Sequence, residues 1–150
     1  MAYEQLKLEN QLCFPFYAVS RLIIRAYQED LDKLGITYPQ YLALMILWEK
    51  SPVTVNEVAE KLILNTNTVT PLLKRMEAMG LIERRQSETD QRKVMISLTE
   101  AGAKMQHEAA QIPLRLVQKL NVGTNEGDVA EMLKLKQQLY GLIGLLKNIE

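Results

Sequence analysis

The chain has 150 residues, 47% of them hydrophobic and 24% charged, which is the composition of one globular domain with a core of its own. Eighteen basic residues balance eighteen acidic ones, which counts against a protein that binds nucleic acid through overall charge but does not exclude specific binding through a local basic stripe. A single cysteine excludes an intramolecular disulfide and a multi-thiolate metal site, so we expect no metal and no cofactor.

The N-terminal segment MAYEQLKLEN carries charges of both signs. It lacks the apolar stretch of a secretory signal, and the longest apolar run elsewhere is far shorter than a membrane span. We therefore expect a cytoplasmic protein without a membrane partner.

A helical period follows this segment. It predicts a first helix from about Leu12 to Lys33. We expect the helix to end at Gly35 in the left-handed conformation, with Ile36 folded back onto Leu31.

Two capping boxes predict the starts of the next two helices. Thr37 and Gln40 in TYPQ open the segment YLALMILWEK, which is apolar nearly all round and is therefore expected to be buried. SPVT interrupts this helix. Thr54 and Glu57 then open a short helix in TVNEVAEKL.

After the turn ILN, the segment TNTVTPLLKRMEAMG predicts a further helix that Gly80 stops. Pro71 fits if this helix begins between residues 66 and 68, because it then lies near the end of the first turn. The period then changes to two: LIERRQ and KVMISLT predict strands joined by the polar loop SETDQR, with Val94, Ile96 and Leu98 facing the core.

The C-terminal third returns to a helical period. Thr99 is expected to cap one long helix reaching Leu120, and Thr124 is expected to cap a last helix. The apolar positions of that last helix are Val129, Met132, Leu133, Leu139, Leu142, Ile143 and Leu146.

Two close-set short helices followed by a hairpin make a winged helix-turn-helix. We expect a mainly α fold with a small β-hairpin, in a single domain covering residues 1–150. The winged helix-turn-helix covers about residues 37–99. The helices at about 8–36 and 100–150 carry more apolar surface than this module can cover, which predicts a homodimer that binds a pseudo-palindromic site on double-stranded DNA.

The predicted recognition helix begins with NTNTVT. A recognition helix presents its first residues to base edges, where Asn and Thr suit adenine and the thymine methyl group. These residues also serve as helix caps, but one or two suffice for a cap. We therefore predict contacts to DNA from Asn65, Thr66, Asn67, Thr68 and Thr70, and from Lys74 and Arg75 further along the helix.

The hairpin supplies further basic side chains: Arg92 and Lys93 in the loop and Arg84 on a strand. An arginine at such a position can enter a narrow minor groove, where the negative potential is concentrated. The alternative is a solvated surface charge. Asp90 stands two residues before Arg92, and we expect its carboxylate to orient that guanidinium.

Cys13 lies at or just inside the start of the first helix, as Pro15 also indicates, since proline is tolerated in a first turn. The positive end of the helix dipole stabilises a thiolate, which is the nucleophilic form. Tyr17 lies four residues on, on the same face, and its hydroxyl can donate to the thiolate. A free cysteine is as often simply buried. The residues alone leave both interpretations open.

Two stretches resemble the MarR family of winged-helix regulators: VNEVAEKLILNTNTVTPLLKRMEAMGLIERR and TDQRKVMISLTEAG. The N-terminal NQLCFPFYAVSRLIIRAYQEDLDKLGITYPQYLALMILWE is similar to the OhrR branch of that family, the organic hydroperoxide resistance regulators. The resemblance covers nearly the whole chain.

The resemblance implies that Cys13 is the peroxide-reactive residue. It implies that Tyr27 and Tyr38 of the partner subunit hydrogen-bond this cysteine, and that Tyr17 belongs to the same pocket. Arg92 corresponds to the family's minor-groove arginine and Asp90 to its salt-bridge partner.

This sequence lacks the second, resolving cysteine of some members and so resembles the one-cysteine type. Oxidised Cys13 is then expected to be trapped as a mixed disulfide with a small thiol, as a sulfenamide, or by overoxidation.

The sequence thus predicts a redox-sensing repressor that an organic hydroperoxide releases from DNA, with Phe14 and Phe16 solvating the alkyl tail of the inducer. One alternative is a regulator released by a reversible phenolic or drug-like ligand. An enzyme is not expected, because no resolving cysteine or catalytic pairing is recognisable and His107 stands alone on a polar stretch.

Overall fold

The computed structural model describes residues 3–121, 123 and 125–149. Two short 3-10 turns, Glu4–Leu6 and Leu8–Asn10, come first. The helices are α1 Cys13–Leu34, α2 Tyr38–Glu49, α3 Val55–Leu62, α4 Thr66–Ala78, α5 Glu100–Ala109, α6 Ile112–Leu120 and α7 Glu126–Lys147, and the strands are β1 Val53–Thr54, β2 Ile82–Gln86 and β3 Val94–Leu98. The predicted fold class, mainly α with a small β-hairpin in a winged helix-turn-helix, is confirmed.

The C-terminal end of α1 is tied to the core by the predicted left-handed glycine. Gly35 has φ +67°, and its N–H donates to the Asp32 carbonyl at 3.0 Å. The Ile36 N–H donates back to the Leu31 carbonyl at 3.1 Å, and both of these apolar side chains are buried. This is the Schellman arrangement, which satisfies the last carbonyls of a helix.

Both predicted capping boxes are present. At the start of α2, the Thr37 N–H donates to Gln40 Oε1 at 2.8 Å and the Gln40 N–H donates to Thr37 Oγ1 at 3.4 Å. At the start of α3, the Thr54 N–H donates to Glu57 Oε2 at 2.7 Å and the Glu57 N–H donates to Thr54 Oγ1 at 3.1 Å. α2 is the central helix of the core; its buried residues are Gln40, Tyr41, Ala43, Leu44, Ile46 and Leu47.

Proline 71 lies deeper in α4 than the sequence indicated. The helix begins at Thr66, so Pro71 is its sixth residue and is inside the helix. A proline has no N–H, and the helical bond to the Asn67 carbonyl therefore cannot form. The predicted helix start between residues 66 and 68 is confirmed, but the expectation that Pro71 lies near the end of the first turn was wrong by about half a turn.

The three strands form an antiparallel sheet in the order β1-β3-β2. Ile96 is central: it pairs with Arg84 of β2 on one side and with Val53 of β1 on the other. Ile96 is buried, and Val94 and Leu98 pack against the core as predicted. The sequence did not predict β1, because two residues are too few to show a period of two.

The predicted long helix from Thr99 to Leu120 is wrong in one respect. Thr99 does cap its start, accepting from the Gly102 N–H at 3.1 Å, but α5 ends at Ala109 and α6 begins at Ile112. Pro113 explains the break, because it cannot donate to the Ala109 carbonyl and its ring clashes there.

The last helix begins at Glu126, and its cap is Asn125, whose side chain accepts from the Asp128 N–H at 2.9 Å. The predicted cap, Thr124, lies outside the described residues. Among the described residues, no helix combines the length and the hydropathy needed to cross a membrane.

The chain divides into two compact units, one up to Ile112 and one from Pro113 on. The first unit contains the hydrophobic core, built around α2, α4 and the sheet. In the second unit α7 has no buried residue. The predicted single domain over residues 1–150, with its boundaries near 37 and 99, stays a prediction.

Candidate DNA-binding surface and thiol site

The first turn of α4 both caps the helix and presents polar side chains to solvent. Asn65 Oδ1 accepts from the Thr68 N–H at 3.0 Å and from Thr68 Oγ1 at 3.1 Å, so these two residues do form a cap. Thr66 and Asn67 are exposed, and Thr70 is half-buried. The cap thus uses two of the five polar residues and leaves three on the surface.

The opposite face of α4 fixes the helix in the core. Its buried side chains are Val69, Leu72, Leu73 and Met76. Lys74 and Arg75 lie on the exposed face. The polar first turn and these two cations are therefore held on a rigid helix, as a surface that reads a groove requires.

The hairpin loop between β2 and β3 presents Arg92 to solvent. Its side chain is 91% exposed, its Nε donates to Asp90 Oδ1 at 3.2 Å, and its backbone N–H donates to the same oxygen at 3.1 Å. These bonds lower the pKa of Asp90. The Lys93 N–H closes the loop by donating to the Asp90 carbonyl at 2.9 Å. The contact between Asp90 and Arg92 that the spacing predicted is present.

Arg84 is held more tightly than the other predicted cations. Its side chain is 17% exposed, and Glu77 of α4 accepts from its backbone N–H at 3.1 Å and lies 3.6 Å from its guanidinium. Glu77 therefore links β2 to α4 through a hydrogen bond and an ion pair. Arg84 still reaches a cleft of about 220 Å³ between the first turns of α3 and α4 and the hairpin, which Arg92 and Lys93 also line.

Asn56 is a cleft residue that the sequence did not single out. It lies in the first turn of α3, and Thr66 and Thr70 of α4 line the same cleft. The sequence predicts that Asn56 lies at the start of a helix. It does not indicate that Thr66 and Thr70 lie close to Asn56, because this proximity arises only in the folded chain.

Cys13 is the first residue of α1 and is exposed. Tyr17, one turn later, is 59% exposed, and the Arg21 guanidinium lies 5.3 Å from the centroid of its ring. Phe14 and Phe16 are also exposed, and Phe14 and Tyr17 line an open groove of about 530 Å³ along α1. The thiol is therefore not part of the core of this chain.

Three tyrosines form a separate cluster, called here the tyrosine cluster: Tyr27, Tyr38 and Tyr41. The ring centroids of Tyr27 and Tyr38 lie 5.1 Å apart, and Tyr41 lies 6.0 Å from the first and 6.3 Å from the second. Burial raises the pKa of all three phenols, so at neutral pH they keep their O–H donors. The sequence did not single out Tyr41.

The structure does not bring the tyrosine cluster to Cys13 within one chain. Cys13 and Tyr27 both lie on α1, fourteen residues apart, which is about 21 Å along a helix. Any contact between them needs a second copy of the chain. Among the described residues, no group of three or more His, Cys, Asp or Glu side chains is placed to hold a metal ion.

Comparison with known proteins identifies the family. Residues 25–109 match the family model described as transcriptional regulator SarA/Rot. The organic hydroperoxide resistance transcriptional regulator of Bacillus subtilis is 47% identical over 144 residues, covering 96% of this chain and 95% of that protein. The regulator MgrA of Staphylococcus aureus is 50% identical over 98 residues, covering 65% of this chain and 67% of that protein.

Solved structures agree with this assignment. Reduced AbfR of Staphylococcus epidermidis bound to DNA is 38% identical, with a TM-score of 0.73, over 94% of this chain and 99% of that one. Overoxidised and disulfide forms of AbfR match as well. The chain therefore belongs to the MarR family of winged-helix transcriptional regulators, in its organic hydroperoxide resistance branch.

Proposed function

We propose that this protein is a homodimeric, redox-sensing repressor that leaves its DNA operator when an organic hydroperoxide oxidises Cys13. The observation that carries the proposal is the position of the thiol. Cys13 is the chain's one cysteine and is exposed at the first residue of a helix whose N-terminal two-thirds has no buried side chain. The comparison with the Bacillus subtilis regulator supplies the class of oxidant.

DNA is read by α4 and by the hairpin. Thr66, Asn67 and Thr70 enter the major groove with Lys74 and Arg75 alongside, and Asn65 and Thr68 hold the helix start in shape. Arg92, oriented by Asp90, enters the minor groove. Lys93 and Arg84 face the phosphates across the cleft. Two copies place two recognition helices on half-sites about one DNA turn apart, ~34 Å.

The homodimer covers the exposed apolar residues of α1 and α7. It also brings Tyr27 and Tyr38 of one protomer to Cys13 of the other, where their O–H groups donate to sulfur. The winged module of residues 37–99 and the flanking helices act as one domain in this arrangement. A repressor of transcription works on chromosomal DNA, so the proposal includes a location in the cytoplasm.

The chemistry needs two named reactants. The Cys13 thiolate attacks the terminal oxygen of ROOH, the O–O bond breaks, and after proton transfer the products are a sulfenic acid and the alcohol ROH. A small thiol then attacks the sulfenic sulfur, forming a mixed disulfide and releasing water. Phe14 and Phe16 solvate the alkyl group R. The adduct is larger than the thiol and displaces the tyrosine O–H donors.

The test compares wild type with Cys13→Ser on an A·T-rich palindrome selected from a random pool. Affinity is measured before and after one equivalent of an organic hydroperoxide with a small thiol. Wild type is expected to lose binding and Cys13→Ser to keep it. If Cys13→Ser is released as readily as wild type, the sensor assignment is wrong.

A second measurement addresses catalysis. If the protein is a sensor and not a peroxidase, hydroperoxide consumption in the presence of the thiol is expected to stop at about one equivalent per protomer. Continued turnover in wild type that is absent in Cys13→Ser would contradict this.

A further inference from the structure

Trp48 lies between the tyrosine cluster and the base of the β2–β3 hairpin, which is called here the wing. It is the one tryptophan of the chain and is half-buried near the end of α2. Its ring meets Tyr41 edge-on, with centroids 6.3 Å apart and planes at 67°. On its other side, the indole N–H donates to the Gly102 carbonyl at 2.9 Å. One side chain therefore contacts both a member of the cluster and the first turn of α5.

That turn of α5 is locked to the chain that leaves α4, in a junction formed by Gly80, Leu81, Thr99 and Gly102. The Thr99 N–H donates to the Leu81 carbonyl at 3.1 Å, and Thr99 Oγ1 donates to the Gly80 carbonyl at 2.6 Å. Gly102 packs so closely that a Cβ there would lie 2.1 Å from the Leu81 oxygen. Since α4 ends just before Gly80 and β2 begins just after Leu81, a shift of this junction moves the recognition helix and the wing.

The tyrosine cluster is connected to Trp48 along α2. Tyr38, Tyr41 and Trp48 stand at positions i, i+3 and i+10 of α2, which places them in one stripe along about 15 Å of helix. Tyr27 of α1 packs on the first two of these rings. A change in the tyrosine cluster is therefore passed to a rigid helix that has Trp48 at its far end.

We propose that Trp48 is a positioning residue that couples the tyrosine cluster to the junction, so that displacement of Tyr27 and Tyr38 by oxidised Cys13 reaches α4 and the wing through the Trp48–Gly102 hydrogen bond. The inference rests on the proposed function, since only there do the tyrosines meet the thiol. A hydrogen bond weakens steeply with misalignment. Movement of α2 therefore either moves α5 or breaks this bond, and each result changes how the reading surface is held.

The first test observes the bond itself. With one tryptophan, the ¹H–¹⁵N spectrum contains a single indole N–H signal. In DNA-free wild type, a stoichiometric organic hydroperoxide with a small thiol is expected to shift this signal and to speed its exchange with solvent. Cys13→Ser is expected to show neither change. An unchanged signal in wild-type protein that nonetheless releases DNA overturns the coupling and leaves the proposed function standing.

The second test measures the coupling. Trp48→Phe keeps an aromatic ring and removes the N–H donor. The matched control, Ile46→Val, removes one methylene from a buried residue of the same helix and is expected to lower stability modestly without touching the hydrogen bond of Trp48. The ratio of the operator Kd after oxidation to the Kd before it is expected to fall about fivefold in Trp48→Phe and to stay at the wild-type value in Ile46→Val.

The outcomes separate the two proposals. Equal ratios in wild type and Trp48→Phe overturn the coupling alone. Retention of DNA by oxidised wild type overturns the proposed function and the coupling with it. A change in ratio that Ile46→Val shares assigns the effect to stability and overturns the specific role of Trp48.

Discussion

Most apolar side chains from α2 to α5 are buried or half-buried, whereas neither the N-terminal part of α1 nor α7 has a fully buried side chain. Leu44, Leu73 and Ile96 are 0% exposed, while Leu22 of α1 is 60% exposed and Leu133 of α7 is 56% exposed. A soluble monomer seldom presents such continuous apolar rows to water. The part of the chain that reads DNA therefore has a core of its own, whereas the part that carries the thiol leaves apolar side chains exposed.

This difference assigns separate tasks to the two regions. A surface that reads DNA must keep fixed spacing, which a self-contained core provides. A sensor must change its packing on oxidation, and in the proposed homodimer the packing between two copies is easier to rearrange than a close-packed core. α2 belongs to the first region and carries two members of the tyrosine cluster, which pack on Tyr27 of α1.

A cavity in the region from α2 to α5, called here the complete region, is expected to have the strongest effect. Leu44→Ala leaves a cavity in the fully buried face of α2 and is expected to lower the free energy of unfolding by about 2–5 kcal/mol. Urea denaturation monitored by circular dichroism measures this loss.

The matched change is Leu22→Ala in the exposed row of α1. In sedimentation equilibrium it is expected to weaken the dimer, while costing much less in urea than Leu44→Ala. If the two variants unfold at the same urea concentration, α1 contributes to the core as α2 does, and the comparison fails.

The sequence predicted the elements of the complete region well because their signals are local. Both capping boxes and the left-handed Gly35 are determined by a few neighbouring residues. The errors came from signals that were given too little weight, as with Pro113 at the break between α5 and α6, or that were absent. β1 is defined only by its pairing with β3, a contact between Val53 and Ile96 that no local pattern reports.

The next prediction concerns Arg92 in the loop of the β2–β3 hairpin, and it tests whether this hairpin affects DNA binding alone. Arg92→Ala is expected to weaken binding to the operator by about tenfold to a hundredfold, because an exposed guanidinium in the groove is lost. Fluorescence anisotropy at fixed ionic strength measures the change. The dimer and the peroxide response of Cys13 are expected to stay as in wild type.

Lys104→Ala provides the control, since it also removes one positive charge, from a side chain of α5 paired with Glu100. A loss of affinity equal to that of Arg92→Ala would indicate a general charge effect in place of a specific contact.

Contacts within the candidate sites could be predicted only between residues that lie close together in the sequence. The sequence places Asp90 beside Arg92 because two residues separate them, and the structure contains that contact. Asn56 was not singled out, because its neighbours Thr66 and Thr70 lie on another helix. Tyr41 was missed although it stands three residues after Tyr38 on α2, and its contact with Tyr27 of α1 arises only from the fold. The link from Trp48 to Gly102 spans 54 residues and has no counterpart in the sequence pattern.

The smallest effect that we expect on stability is electrostatic and comes from Glu57 at the start of α3, within the complete region. The Thr54 N–H, then the hydrogen bond from Lys50, lower the pKa of Glu57 to about 2 from 4.5. Between these values the unfolded chain binds more protons at this residue than the folded chain, so stability rises with pH there. The contribution of Glu57 is complete above pH 4.5 and is lost as the pH falls to about 2. Because the side chain is 41% exposed, we expect about 1 kcal/mol.

Glu57→Gln isolates this contribution, since an amide oxygen still accepts from the Thr54 N–H but does not titrate. The free energy of unfolding of wild type minus that of the variant is expected to be positive at pH 6 and to decline between pH 4.5 and 2, as other carboxyl groups cancel in the difference. A difference that is constant with pH would mean that the charge of Glu57 adds nothing to the start of α3. The complete region would then be held at this point by hydrogen bonds and apolar contacts alone.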